Sequence, residues 1–170
     1  MSLDLSAAFD TNDHGILLSR LHSEFGISGA ALEWIRSYLT GRSQRVTVGH
    51  SHSSYQSVTS GVPQGSVLGP LLFTCYISPA GHLINSFGIF HQQYADDMQL
   101  FIELSINAAA TVINQLERCL SALHCWLCLN GLSLNPDKSE AIWLSTVQRS
   151  RSFTPATSIS IAGTSISLSD

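Results

Sequence analysis

Tyr94-Ala95-Asp96-Asp97 stands between two short runs, residues 89–94 and 98–104, that carry most of their neighbourhood's apolar and aromatic side chains. The runs read as strands, and the acidic pair, a poor strand former, reads as the tip of the hairpin that joins them. Taken alone, an acidic pair at a turn is ordinary solvated surface. A second carboxylate gives it another meaning. Leu3-Asp4-Leu5 sets Asp4 between apolar residues of a short strand, and a charge embedded among apolar groups has to be neutralised, paired or bound to a cation. If that strand lies beside the 94–97 hairpin, Asp4, Asp96 and Asp97 converge and can hold divalent ions. Oxygen-only ligands suit Mg²⁺, which keeps several waters and takes substrate phosphates. Two such ions roughly 3.5–4 Å apart stabilise the attacking and leaving oxygens of an in-line phosphoryl displacement.

Working outward, residues 14–25 predict a helix with Ile16, Leu17, Leu21 and Phe25 near one face and Gly26 as its stop. Ser28 is a fitting N-cap for a second helix through Leu32, Trp34, Ile35 and Leu39. Residues 44–48 alternate as a half-buried strand does, and residues 55–58 would be its hairpin partner. A turn-rich stretch, residues 60–66, leads into the apolar run 67–77. The strongest helix is expected over 106–129. There Ile106, Ala109, Ile113, Leu116, Leu120, Leu123 and Leu127 recur at steps of three and four, and Asn130-Gly131 closes it. Residues 138–145 and 158–162 are further strand candidates, separated by a Ser/Thr-rich tail that starts near residue 146. No repeat or linker divides the chain, which reads as one domain over 1–170.

The composition is 44% hydrophobic and only 12% charged, where soluble domains average roughly 25% charged. That excludes a disordered chain. The net charge of −4 argues against a stand-alone nucleic-acid binder, which normally carries a basic surface. Cys125-x-x-Cys128 beside His124 could suggest zinc. No second ligand pair stands at zinc-finger spacing, however, so Cys75, Cys119, Cys125 and Cys128 read as reduced thiols. The start has no basic region and apolar run of a secretory signal. Apolar runs fall short of the roughly 18–20 residues that span a bilayer. A soluble, intracellular protein without a membrane partner is expected.

Four motifs, in order, carry a family resemblance. Leu3-Asp4-Leu5-Ser6-Ala7-Ala8-Phe9-Asp10 with Asp13-His14 resembles the first catalytic motif of reverse transcriptases from non-LTR, LINE-like retrotransposons. Ser60-Gly61-Val62-Pro63-Gln64-Gly65-Ser66-Val67-Leu68-Gly69-Pro70 resembles their second, and Tyr94-Ala95-Asp96-Asp97 their third. Asn130-Gly131-Leu132-Ser133-Leu134-Asn135-Pro136-Asp137-Lys138-Ser139 is similar to the fourth. The resemblance covers essentially the whole chain. It implies an α+β polymerase palm, an antiparallel sheet with helices packed on one face, and RNA-directed DNA polymerase activity.

By position, the resemblance makes Asp4 and Asp96 the main metal ligands, with Asp97 the second member of the acidic pair and two Mg²⁺ ions, or Mn²⁺ in their place, as cofactors. Phe9 would lie under the incoming sugar and leave no room for a ribose 2′-OH. Gly61, Gln64 and Gly65 match the segment that contacts the nascent base pair and template, and glycine lets backbones approach closely. Lys138 matches the lysine that protonates or stabilises the pyrophosphate leaving group, a cation placed where phosphate charge develops. Arg42 and Arg45, beside the strand before the second motif, are candidates for template phosphates or a plain solvated face. The implied partners are an RNA template, a DNA primer and dNTPs, and the implied compartment is the nucleus. Asn12 stands where an apolar residue is common, and Met98 where Thr is frequent.

The resemblance also implies fingers before the first motif, a thumb after the fourth and an endonuclease region. The sequence reads as a palm fragment without these, expected to be competent only with its neighbours, and much of the basic surface expected of a polymerase would lie in those regions. Two other readings stay open: an inactive retrotransposon relic, or a co-opted RNA-binding or interaction module. A cyclase or RNA-templated RNA polymerase fits Phe9 and the Gly-Val-Pro-Gln-Gly-Ser stretch less well.

Overall fold

A computed structural model describes residues 1–105, 108–146 and 158–169. The chain forms two compact units, Met1–Ala7 with Ile77–Asp170, and Ala8–Tyr76.

The first unit is built on a six-stranded sheet in the order β6-β7-β1-β8-β10-β9. Its strands are β1 (Ser2–Ser6), β6 (Phe90–Tyr94), β7 (Asp97–Phe101), β8 (Ser133–Ile142), β9 (Ser158–Ile161) and β10 (Thr164–Ser169). Strand β1 runs antiparallel to both neighbours, β7 and β8. Alternation gives the sheet two unlike faces. Leu3 and Leu5 of β1, Met98 and Leu100 of β7, Leu134 and Ala141 of β8, and Ile159 and Ile161 of β9 are all buried. Their strand neighbours Ser2, Asp4, Asp97 and Gln99 are half-buried or exposed.

Helices α4 (Pro79–Ser86) and α5 (Ala109–Leu129) pack on each other and on β6, β8 and β9. Helix α5 buries Ala109, Leu116, Leu120, Leu123 and Leu127 of the expected stripe, together with Cys119; Ile113 is half-buried, and Ile106 lies outside the described residues. Each leucine so buried contributes roughly 1.5–3 kcal/mol. Gly131, at φ +68, ends the run in the left-handed conformation.

The second unit holds α1 (His14–Ser23), α2 (Gly29–Leu39) and α3 (Leu68–Ile77), the last residue of α3 counting with the first unit. Asp13 caps α1, its carboxylate accepting from the Ile16 N–H at 2.8 Å. Ser28 is the N-cap of α2 but makes no side-chain cap bond. Leu17, Leu21, Leu39, Val62, Phe73 and Tyr76 form the core.

Several expectations need correction. The 44–48 strand is two short pieces, β2 (Ser43–Gln44) and β3 (Thr47–Val48), paired with β5 (Gln56–Ser57) and β4 (Ser51–His52) respectively. All four are exposed, so no buried face sustains a longer ladder. The strand expected over 138–145 starts five residues earlier and ends at Ile142, because Leu132 and Leu134 are buried. The sheet is not wholly antiparallel either. The outer strand of the β9-β10 hairpin is β9, which leaves β10 to join β8 in parallel. Among the described residues, no helix is long and apolar enough to cross a membrane.

Candidate active site

Strands β6 and β7 pair from Phe90↔Phe101 to Tyr94↔Asp97. The hairpin loop is therefore Ala95-Asp96, and Asp97 is already the first residue of β7, which shifts the expected Asp96-Asp97 turn by one. Two-residue loops need a positive φ to match strand twist. Ala95 supplies it at φ +52, an uncommon conformation for a residue with a Cβ and one that gathers at functional sites. Asp96 is half-buried and Asp97 exposed.

Strand β1 lies directly beside this hairpin, with Ser2↔Gln99 and Leu3↔Met98 in register. One step further along the same register brings Asp4 level with Asp97. Leu3 and Met98 both point into the core, so Asp4 and Asp97 both point to the face opposite the one that carries them. Met98 thus has a packing role, which a threonine at that position would fill less completely.

On its other side, β1 pairs with β8 through Ser6↔Ser133, Leu5↔Leu134 and Asp4↔Asn135, and then the register shifts, with Ser2 opposite Glu140. Between those last pairs β1 advances two residues and β8 advances five, so three extra residues of β8 leave the ladder as a bulge. Pro136 sits in it, which suits a residue that cannot donate to a ladder. Lys138 is exposed on the same excursion, beside the strand that carries Asp4. Asp97, Asp4 and Lys138 thus occupy three adjacent strands of one sheet, with Asp96 in the loop just before Asp97. Among the described residues, no three His, Cys, Asp or Glu side chains form a ready-made metal cage.

The remaining candidates belong to the second unit. Phe9 is half-buried and its ring packs on Phe73, centroids 4.8 Å apart. Gly61 docks on the segment that follows: its N–H donates to Asn12 O at 2.8 Å, and the Val62 N–H donates to Phe9 O at 2.8 Å. A Cβ at Gly61 would stand 2.8 Å from Asp10 O and 2.9 Å from Asp10 Cα and Phe9 O, at φ +83. The protein's own backbone therefore requires glycine there. Gly65, at φ +77, would direct a Cβ into open space. The exposed Gln64 side chain donates to Asp10 Oδ1 at 2.8 Å, so the first and second motifs are joined by this pair.

Sequence reasoning gave no role to Asp10 or to His14. His14 Nε2 lies 2.8 Å from Gly61 O, and since a carbonyl only accepts, that nitrogen carries the proton. Asn12 is fully buried, its Nδ2 donating to Phe9 O at 3.4 Å, which explains why an apolar residue would also suit the position. Arg42 stacks over Tyr38, 4.5 Å from the ring centroid, and Arg45 over Tyr55 at 5.0 Å. In α5, Cys119 is buried and its thiol is pushed up to about 11 by that burial. Cys128 Sγ is 3.8 Å from His124 Nε2, one turn away.

A family model described as reverse transcriptase (RNA-dependent DNA polymerase) matches residues 1–163. The chain belongs to the reverse transcriptase family. It is 32% identical over 142 residues to a probable RNA-directed DNA polymerase from transposon BS of Drosophila melanogaster, covering 81% of this chain and 15% of that protein. It is 30% identical to the RNA-directed DNA polymerase from mobile element jockey of Drosophila funebris, over 80% of this chain and 15% of that one. A Pol polyprotein from the type-1 retrotransposable element R2 of Popillia japonica matches at 26% identity, over 86% of this chain and 24% of the relative. This reverse transcriptase chain thus spans between 15% and 24% of the length of these relatives. Its fold is also that of a telomerase from Candida albicans, solved with a fragment of telomeric RNA. There the TM-score is 0.62 at 15% identity, over 98% of this chain and 29% of that one.

Proposed function

We propose that this chain is the catalytic palm of an RNA-directed DNA polymerase, which joins a dNTP to a primer 3′-OH on an RNA template. The observation that carries the reading is the pairing of β1 with β7 at Leu3↔Met98, which sets Asp4 and Asp97 each one residue from that pair, with Asp96 at the adjoining tip. Membership of the reverse transcriptase family supports it.

The carboxylates fit divalent cations. The donors are all oxygen, Asp4 and Asp97 alternate onto one sheet face with Asp96 in the adjoining loop, and such a set leaves coordination positions for water and substrate phosphate, as Mg²⁺ prefers. Asp4 and Asp96 would hold two Mg²⁺ ions, or Mn²⁺ in their place, with Asp97 completing the acidic pair. Bound there, the metals would supply charge stabilisation for the attacking and leaving oxygens. Lys138 would hold a proton and positive charge beside the departing pyrophosphate.

Phe9, braced by Phe73, would exclude a ribose 2′-OH sterically. Gln64 and the backbone of Gly61 and Gly65 would line the nascent base pair, with the bond from Gln64 to Asp10 setting the amide's orientation. Arg42 and Arg45 would meet template phosphates, contacts that position the strand without reading its sequence. The compartment proposed is the nucleus, as the resemblance implies.

Primer extension on an RNA template with Mg²⁺ tests this, with the chain alone and joined to flanking fingers and thumb regions. The joined form should extend the primer, and Asp96→Asn should lower incorporation by roughly a hundredfold or more, the scale of losing a charge-stabilising group at a reacting centre. An inactive joined form, or an Asp96→Asn form as active as its parent, would refute the proposal.

A further inference from the structure

We propose that Ser139 is the positioning residue for Lys138, closing the β8 bulge so that the lysine is held at the edge of the Asp4 strand. This inference rests on the polymerase reading above, from which it takes the role of Lys138.

The bulge opens at Asn135, the last residue in register with Asp4, and closes at Glu140, in register with Ser2. An excursion of this kind breaks the ladder and leaves backbone groups at its base without strand partners. One Ser139 hydroxyl bridges the two strands at that base. Its Oγ accepts from the Asp4 N–H at 3.2 Å and donates to Asn135 O at 2.8 Å. The side chain is buried, at 5% exposure, so water does not substitute for it easily. Its neighbour Lys138 is exposed.

The arrangement is a clamp with three anchored points. Asn135 marks one end of the excursion, Ser139 the other, and Asp4 is the strand they are both tied to. Pro136 has a fixed φ, so the excursion has few ways to rearrange while its base stays closed. The strand that carries a candidate metal ligand and the excursion that carries the candidate acid therefore share a hydrogen-bonded hydroxyl. Without the hydroxyl, the Asp4 N–H and the Asn135 carbonyl lose this bridge, and the base of the excursion opens.

Ser139→Ala tests the clamp, with Ser139→Thr as the variant that keeps the hydroxyl. The readout is binding of inorganic pyrophosphate with Mg²⁺ to the chain, measured by calorimetry and needing no turnover. Removing the hydroxyl should weaken pyrophosphate roughly tenfold, as loss of a buried hydrogen-bonding group does, and threonine should restore it. In a Lys138→Ala background, Ser139→Ala should cost nothing further, because the serine acts through the lysine; a purely structural serine would cost the same in both backgrounds. Amide exchange at Asp4 supplies a check on folding: protected in the parent and in Ser139→Thr, faster in Ser139→Ala. Equal pyrophosphate affinity in the parent and Ser139→Ala, additive losses, or no pyrophosphate binding by the parent would each overturn the clamp. Failure of primer extension with the clamp intact would instead remove the polymerase reading and leave the binding result standing.

Discussion

Gly61 and Gly65 look interchangeable in the sequence, two glycines of one turn-rich motif. Their surroundings separate them. A methyl group at Gly61 meets the backbone of Phe9 and Asp10 below 3.0 Å, whereas at Gly65 it meets nothing. Gly61→Ala should therefore destabilise the protein by about 3 kcal/mol or more, combining backbone strain with a clash that rigid neighbours cannot relieve. Gly65→Ala should cost only the left-handed conformation, about 1–2 kcal/mol. Chemical denaturation of the two variants checks the difference, and equal losses would contradict the packing described. At this scale the sequence was informative about identity and silent about partners. Asp4, Asp96 and Asp97 were nominated by carboxylates set among apolar residues and, with Lys138, by a motif order, and both signals are written in residue types. The bonds from Gln64 to Asp10, from His14 to Gly61 and from the Asp4 N–H to Ser139 depend on register between distant segments, which no local pattern encodes.

Helix α5 is the element most plainly written in the sequence, because its stripe at steps of three and four has a polar complement. It also contains a titratable core residue. Burial raises the Cys119 thiol from 9.0 to about 11, so the folded state holds that proton more tightly than the unfolded chain does. Below about pH 9 both states keep the proton and Cys119 leaves stability unchanged. As pH rises from 9 towards 11 the unfolded chain ionises first, and stability is lost. Cys119→Ala should flatten that alkaline slope in urea denaturation. Iodoacetamide at pH 8 should modify the exposed Cys125 and Cys128 well before Cys119, which should react only on unfolding. Other elements were less legible for physical reasons. The 67–77 run is apolar all round, so periodicity could not assign α3. Pro136 cannot donate to a ladder, so the start of β8 carries no plain strand pattern, and the bulge is how the strand accommodates it.

Across the whole molecule, charge is unevenly distributed. The chain carries −4 in total, yet no Asp or Glu occurs from Trp34 to Ala95, where the charged side chains are Arg36, Arg42 and Arg45. If Arg42 and Arg45 meet phosphates, Arg42→Ala and Arg45→Ala should each reduce the salt dependence of RNA binding by about one unit of log–log slope. Loss of affinity with an unchanged slope would assign them a packing role with Tyr38 and Tyr55 instead. The two compact units could not be read from the sequence, which carries no Pro/Gly-rich linker at either boundary. The boundaries fall instead beside β1 and inside α3, where the elements themselves are continuous. The central claim concerns the sheet face of the first unit. Its most direct measurement is a Mn²⁺ titration of the isotope-labelled chain followed by paramagnetic broadening of backbone amide signals. Broadening should begin at Asp4, Asp96, Asp97 and their strand neighbours, and should be lost in Asp4→Asn and Asp96→Asn. Broadening that starts elsewhere, or that survives both substitutions, would contradict the account.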